Sequence, residues 1–178
     1  MAAKRAETER LAALLQVRAE AAASLNPTRV EFVERIEALI EDYNSASVNI
    51  DEYLRRLIEL SNDLSQEEQR AVLEDMSEEE LAIFDLLTQP EPELTDEERK
   101  TVKAGAKRLL EHLHEKLVLD WRRKAAATAG VKTAIMEVLD QDLPAEPYPV
   151  DLFNTKVAAV YDHVLTTESG PAVPTGSN

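Results

Sequence analysis

The sequence predicts an all-α protein, an elongated and mostly antiparallel helical bundle of about seven helices, and three of its features carry that prediction. Four glycines and 4% aromatic residues stand against abundant Ala, Leu and Glu, a composition that favours helices over sheets. A Ser, Thr or Asn is followed three residues later by Glu at Asn49, Ser65, Ser77 and Thr95. At that spacing an N-cap side chain accepts from the N3 amide while the N3 acid reaches back. Between these points apolar residues return every three or four positions, the period of a helix with one buried stripe.

Taken in order, residues 1–24 are alanine-rich and highly charged, and are expected to be loosely attached. Asn26-Pro27 marks a helix start because proline suits the first helical turn, and Val33, Ile36, Ile40 and Tyr43 form the stripe that follows. The next helix repeats the design with Ile50, Tyr53 or Leu54, Leu57, Leu60 and Leu64. The short connection over 44–48 predicts that these two pack antiparallel. Ser65, Ser77 and Thr95 each predict a further start.

From Thr95 the spacing of Val102, Ala106, Leu109, Leu113 and Leu117 predicts a long helix, continuing past Trp121 or breaking near Asp120. Gly105 inside it costs about 1 kcal/mol relative to alanine, which close packing would offset. Residues 122–139 are again helix-forming, with Val131, Ile135, Val138 and Leu139 on one side. Pro144, Pro147 and Pro149 predict an extended connector, since each ring fixes its own φ and restricts the residue before it. Asp151 is expected to cap a last helix bearing Phe153, Val157, Val160 or Tyr161, and Val164. The stretch 167–178, rich in Gly, Pro, Ser and Thr, is expected to be a disordered tail.

With 178 residues the chain suits one ordinary domain, large enough to bury roughly two-thirds of its unfolded surface. It has no cysteine, which excludes disulfides and thiolate chemistry. Its first ten residues mix acids with bases and carry no apolar run of signal-peptide or membrane type, so a soluble, cytoplasmic protein with no membrane contact is expected.

The net charge of -15 argues against nucleic-acid binding over the whole surface, because phosphate contacts demand clustered Lys and Arg. The sum hides an asymmetry. Residues 61–99 hold 14 acids and 2 bases, residues 100–132 hold 3 acids and 9 bases, and residues 133–178 hold 7 acids and 1 base. The basic run of Lys100, Lys103, Lys107, Arg108, Lys116, Arg122, Arg123, Lys124 and Lys132 reads in three ways: a solvated or salt-bridged face, a protein interface, or contact with DNA backbone.

No catalytic or cofactor-binding constellation stands out. Gly105, Gly130, Gly170 and Gly176 fall in no phosphate-loop spacing. His112 and His114 lie on opposite sides of a helix and cannot chelate one metal. First-turn acids such as Glu78, Glu79 and Glu80 are explained by helix N-termini. Trp121 reads as a core anchor or a docking anchor, and His163 as a helix-end histidine or a partner contact. No cofactor, metal or small-molecule substrate is expected.

The letters themselves carry a resemblance. Leu119-Asp120-Trp121-Arg122-Arg123-Lys124, Val131-Lys132, Val138-Leu139-Asp140, Leu143-Pro144, Tyr148, Leu152-Phe153, Lys156, Val160-Tyr161 and His163-Val164 stand in one order and spacing. Upstream come Leu25 to Val30, Tyr43-Asn44 and Ser77 to Asp85. Together they resemble the C-terminal helical region of the restriction (R) subunit of type I restriction-modification enzymes, over about residues 25–166.

The resemblance implies that residues 1–24 are a leading helix out of the motor region and that 25–166 form the helical C-terminal domain. In that family the R subunit carries a nuclease domain, two ATP-driven motor domains and this tail, which helps dock it onto the methyltransferase core. The chain is thus expected to be no enzyme by itself. Its expected partner is the modification subunit, contacted through Trp121, Arg122, Arg123, Lys124, Lys156 and His163. The alternative is a helical module touching DNA backbone through the basic 100–132 face. Nucleases of that family use an acid followed by Glu-x-Lys on strands, and Asp85 with Glu98-Arg99-Lys100 matches those letters, but Glu98 at N3 of a helix reads as a cap. The R subunit is several times longer, so the chain is expected to be an excised or truncated piece.

Overall fold

A computed structural model describes residues 2–117 and 125–168, without the side chains of 116, 117, 125–129 and 168. Among the described residues there are seven α-helices, one short 3-10 turn and no strand. The helices are α1 (Ala2–Leu25), α2 (Val30–Asn44), α3 (Ile50–Leu73), α4 (Glu78–Thr88), α5 (Asp96–Leu117), α6 (Ala125–Asp142) and α7 (Val150–Glu168), with the 3-10 turn at Pro27–Arg29 between α1 and α2. The fold class is all-α, as composition and periodicity predict. The chain divides into two compact units, Met1–Glu78 and Glu79–Asn178.

In the first unit, pairing across α2 and α3 fixes their direction. Asp42 meets Arg56, Arg35 meets Asp63 and Arg29 meets Glu67, so numbers rise along one helix as they fall along the other. The two are antiparallel, as the short connection predicts, and Tyr43 stacks on Tyr53 with ring centroids 4.4 Å apart near that connection. Between α1 and α3 the numbers rise together: Lys4 bonds Asp51, and Arg18 bonds Ser65 and Glu68. Helix α1 therefore runs parallel to α3, and the unit is an up-down-up bundle.

Its core takes Leu15, Ala19 and Ala22 from α1, Phe32 and Ile36 from α2, and Tyr53, Leu57, Leu60 and Leu64 from α3. Helix α1 is thus not loose. Its buried face is mostly alanine, which contributes little hydrophobic signal yet lets neighbouring backbones approach closely.

One predicted start is corrected. Ser65 and Glu68 lie inside the unbroken α3, because the apolar period runs through them from Leu57 to Ala71 and no extended N-cap residue interrupts it. Their polar groups instead take Arg18 of α1. Asn49 does cap α3, its Oδ1 accepting from the Glu52 amide at 2.9 Å. The Glu52 carboxylate, however, turns to the guanidinium groups of Arg55 and Arg56, which hold its pKa down to about 2. Thr95 and Glu98 form the full reciprocal box, with both bonds at 3.0–3.1 Å.

In the second unit the middle of α5 packs against the end of α6, where Arg108 meets Gln141 and Asp142. A Cβ at Gly105 would stand 3.1 Å from the Cβ of Asp142, so the glycine permits this close approach, as its place in the long helix predicts. Val102, Ala106, Leu109 and Leu113 of α5 and Val131, Ile135, Val138 and Leu139 of α6 are all buried, while the predicted end of α5 beyond Leu117 lies outside the described residues.

The connector to α7 is not extended. The Tyr148 amide donates to the Ala145 carbonyl at 3.2 Å, closing a turn, because Pro147 and Pro149 leave Tyr148 between them free to donate. Helix α7 opens at Val150, so Asp151 lies in its first turn and does not cap it. It runs antiparallel to α6, with Lys132 set 5.7 Å from the ring centre of Tyr161, and includes Thr167 and Glu168.

Arg29, 2% exposed, is held by Glu67 at 3.1 Å and Glu78 at 2.8 Å. Removing one member of a buried ion pair leaves uncompensated charge and costs about 3–5 kcal/mol, whereas an exposed pair is worth under about 1 kcal/mol. Arg29→Met is therefore expected to lower the urea unfolding free energy by about 3 kcal/mol. Arg35→Ala, which breaks an exposed pair with Asp63, should change it by less than about 1 kcal/mol. Equal losses in the two variants would contradict the assignment.

Candidate functional site

Of the six residues expected to contact a partner, Trp121, Arg122, Arg123 and Lys124 lie outside the described residues. Lys156 is 4% exposed, and its Nζ donates to the Gln89 carbonyl at 2.8 Å. Burial lowers the pKa of its ammonium, with Glu91 opposing. This geometry assigns it an internal tie and not a surface contact. Helical spacing does contain the signal: Lys156 stands one turn before Val160 and beside Val157, on the buried stripe of α7.

A second tie lies close by in sequence. The Tyr148 hydroxyl donates to the Leu87 carbonyl at 2.8 Å, and burial raises the pKa of the phenol, with Glu98 adding to the effect. Tyr148 and Lys156 together satisfy carbonyls at the C-terminal end of α4, where a helix leaves its last acceptors without intrahelical donors.

Around Tyr148 the corner between α6 and α7 forms a groove of about 300 Å³, lined by Leu139, Leu143, Tyr148, Pro149, Val150 and Phe153 among others. Most of these are letters that carry the resemblance described above. Val150 is 74% exposed at its edge.

His163 occupies a smaller pocket of about 60 Å³ between α4, α5 and α7, walled by Ile83, Leu110, Leu113 and Val164. Glu79, His114 and Thr167 complete its lining. His114 Nε2 lies 3.2 Å from Glu79, and Thr167 Oγ1 lies 3.4 Å from His163 Nδ1. Burial lowers the pKa of His163 and the Glu79 carboxylate acts the other way. Among the described residues no group of three or more His, Cys, Asp or Glu side chains could hold a metal ion.

The letters matching a restriction nuclease have other employment. Glu98 accepts from the Thr95 amide, and the Arg99 guanidinium lies 4.8 Å from the centre of the Phe84 ring. Asp85 is buried inside α4, and neither it nor Glu98 stands on a strand. Along the basic run, Arg108 is committed to Gln141 and Asp142 and Lys132 to the Tyr161 ring, while Lys100 is exposed. Arg29 was not legible as a buried group. An arginine after a proline turn reads as surface, and its acceptors Glu67 and Glu78 are distant in sequence.

Tyr148→Phe leaves the Leu87 carbonyl without its donor, and Lys156→Met does the same to Gln89. Each is expected to cost about 1–2 kcal/mol, the effect of an unsatisfied buried acceptor, read as a lower denaturation midpoint with unchanged helicity. For His163 the folded pKa lies below the ordinary value of 6.5. Between the two values the unfolded chain takes up a proton that the folded chain resists, so stability is full above that ordinary value and falls as pH drops through it. The urea midpoint is expected to fall between pH 7.5 and pH 5.5, and His163→Leu to flatten that fall; an unchanged slope in the variant would refute the role.

A family model described as "Type I restriction enzyme HindI endonuclease subunit-like, C-terminal" matches residues 1–168. No curated protein and no solved structure matches the chain. No helix among the described residues is long and apolar enough to cross a membrane. The match includes α1 together with the helices after it, in keeping with the packing of α1 into the first core. With nearly the whole chain matched on an all-helical frame, the chain belongs to the family of type I restriction enzyme HindI endonuclease subunit-like C-terminal domains.

Proposed function

We propose that this chain is a non-catalytic assembly domain that docks the motor and nuclease subunit of a type I restriction endonuclease onto the methyltransferase core. The observation that carries the proposal is the family match over residues 1–168, to a family described as the C-terminal part of type I restriction endonuclease subunit-like proteins. The internal use of its charged side chains supports a scaffold. Glu98 caps a helix, Arg29 is locked between two carboxylates, and Lys156 ties a loop. Such a domain acts by shape and charge complementarity, without turnover, in the cytoplasm where restriction of DNA takes place.

The rival role, contact with DNA backbone through the 100–132 face, draws less support. Phosphate binding needs cations free to displace counterions, and Arg108 and Lys132 already have partners within the chain. The modification subunit is therefore the proposed partner.

The test is capture of the cognate modification and specificity subunits by the immobilised chain, alongside Trp121→Ala and Arg122→Glu/Arg123→Glu variants. The wild type is expected to retain the core, and the variants to retain less of it while keeping their helicity. Absence of capture, together with duplex-DNA binding that weakens steeply with salt, would overturn docking in favour of the DNA role.

A further inference from the structure

The α6–α7 corner combines two properties. Its groove is apolar, built from Leu139, Leu143, Tyr148, Pro149, Val150 and Phe153, and its volume of about 300 Å³ is enough for one large side chain. Its border is acidic. Asp140 belongs to the lining itself, while Glu146 and Asp151 directly follow the lining residues Ala145 and Val150. All three carboxylates are exposed. None forms a salt bridge with a described residue, and residues 133–178 hold a single base against seven acids. That base is Lys156, buried on the Gln89 carbonyl.

An exposed valine at 74% beside half-buried aromatic and proline surface leaves apolar area in water that a partner's side chain could cover. Uncompensated acids around such a floor select the partner's charge, because unlike charges at an interface rim steer association and like charges repel. We infer that the α6–α7 corner is a docking groove for a protein segment in which an aliphatic or aromatic side chain is flanked by Lys or Arg. The apolar side chain enters between Leu143, Tyr148, Val150 and Phe153, and the flanking cations meet Asp140, Glu146 and Asp151. This rests on the assembly role proposed above and names a surface that contributes to it. A nucleic acid does not fit the same border, since its phosphates would meet carboxylates.

The test measures retention of the cognate modification–specificity core by the full chain and three variants. Val150→Asp places a charge at the apolar edge, in a first helical turn where an acid is tolerated. Asp140→Lys/Glu146→Lys reverses the border. Glu111→Lys/Glu115→Lys makes the same charge change on exposed positions of α5. Circular dichroism melts confirm that each variant folds.

Both groove variants are expected to bind the core at least about tenfold more weakly, the size of one interface hot spot, and the α5 double variant within about twofold of wild type. Capture by wild type that survives both groove variants overturns the groove while leaving the assembly role standing. Equal weakening by the two double variants reduces the effect to overall charge and also overturns it. Failure of wild type to capture the core overturns the assembly role and the groove with it. Concentration-dependent self-association that only the groove variants abolish would make a second copy the occupant, against the proposal.

Discussion

The guanidinium of Arg29 is the group on which the first unit turns. A charged side chain 2% exposed is costly in a helical core unless nearly every donor meets an acceptor. Here one nitrogen faces the Glu67 carboxylate, another the carboxylate of Glu78, and a longer contact of 3.5 Å reaches the Glu67 carbonyl. These partners come from α3 and from the residue that closes the unit. The Asn26 side chain, itself buried, accepts from the Thr28 amide and hydroxyl and so shapes the turn that delivers Arg29. Polar satisfaction at one junction thus fixes the direction of chain entry into α2 and the level at which α3 lies beside it.

The same constraint recurs in the second unit with different chemistry. The C-terminal end of α4 exposes carbonyls that a buried location would leave unmet. Lys156 and Tyr148 meet those of Gln89 and Leu87, and each comes from a segment far along the chain. In both units apolar burial supplies the bulk of the driving force. The arrangement of helices is selected by a few polar groups, since an aliphatic contact accepts several registers and a directional hydrogen bond accepts few.

This division explains what the sequence disclosed. Stripes such as Tyr53, Leu57, Leu60 and Leu64, or Val102, Ala106, Leu109 and Leu113, are local periodicities and were legible, as was the Thr95–Glu98 box. Ser65–Glu68 has the same letters as that box and misled, because capping depends on whether the preceding helix has ended. The alanine face of α1 escaped notice since alanine packs by being small. Lys156 read as a contact because of the resemblance, although its position on the α7 stripe placed it inside. The α6–α7 groove was legible only as scattered letters, Leu139, Leu143, Tyr148 and Phe153, whose convergence depends on the turn at Ala145–Tyr148.

Charge then separates the inward tasks from the outward ones. In the first unit Arg18, Arg29, Arg35, Arg55 and Arg56 all reach carboxylates of their own unit, so much of the positive charge is spent on internal cohesion. The acids outnumber the bases, 35 against 20, so a surplus of carboxylates must face solvent however the pairs are drawn. A surface with that surplus repels a polyanion at every approach except a local basic patch. A carboxylate surplus of this kind favours a basic protein segment over a polyanion, which is the physical ground of the assembly role proposed above.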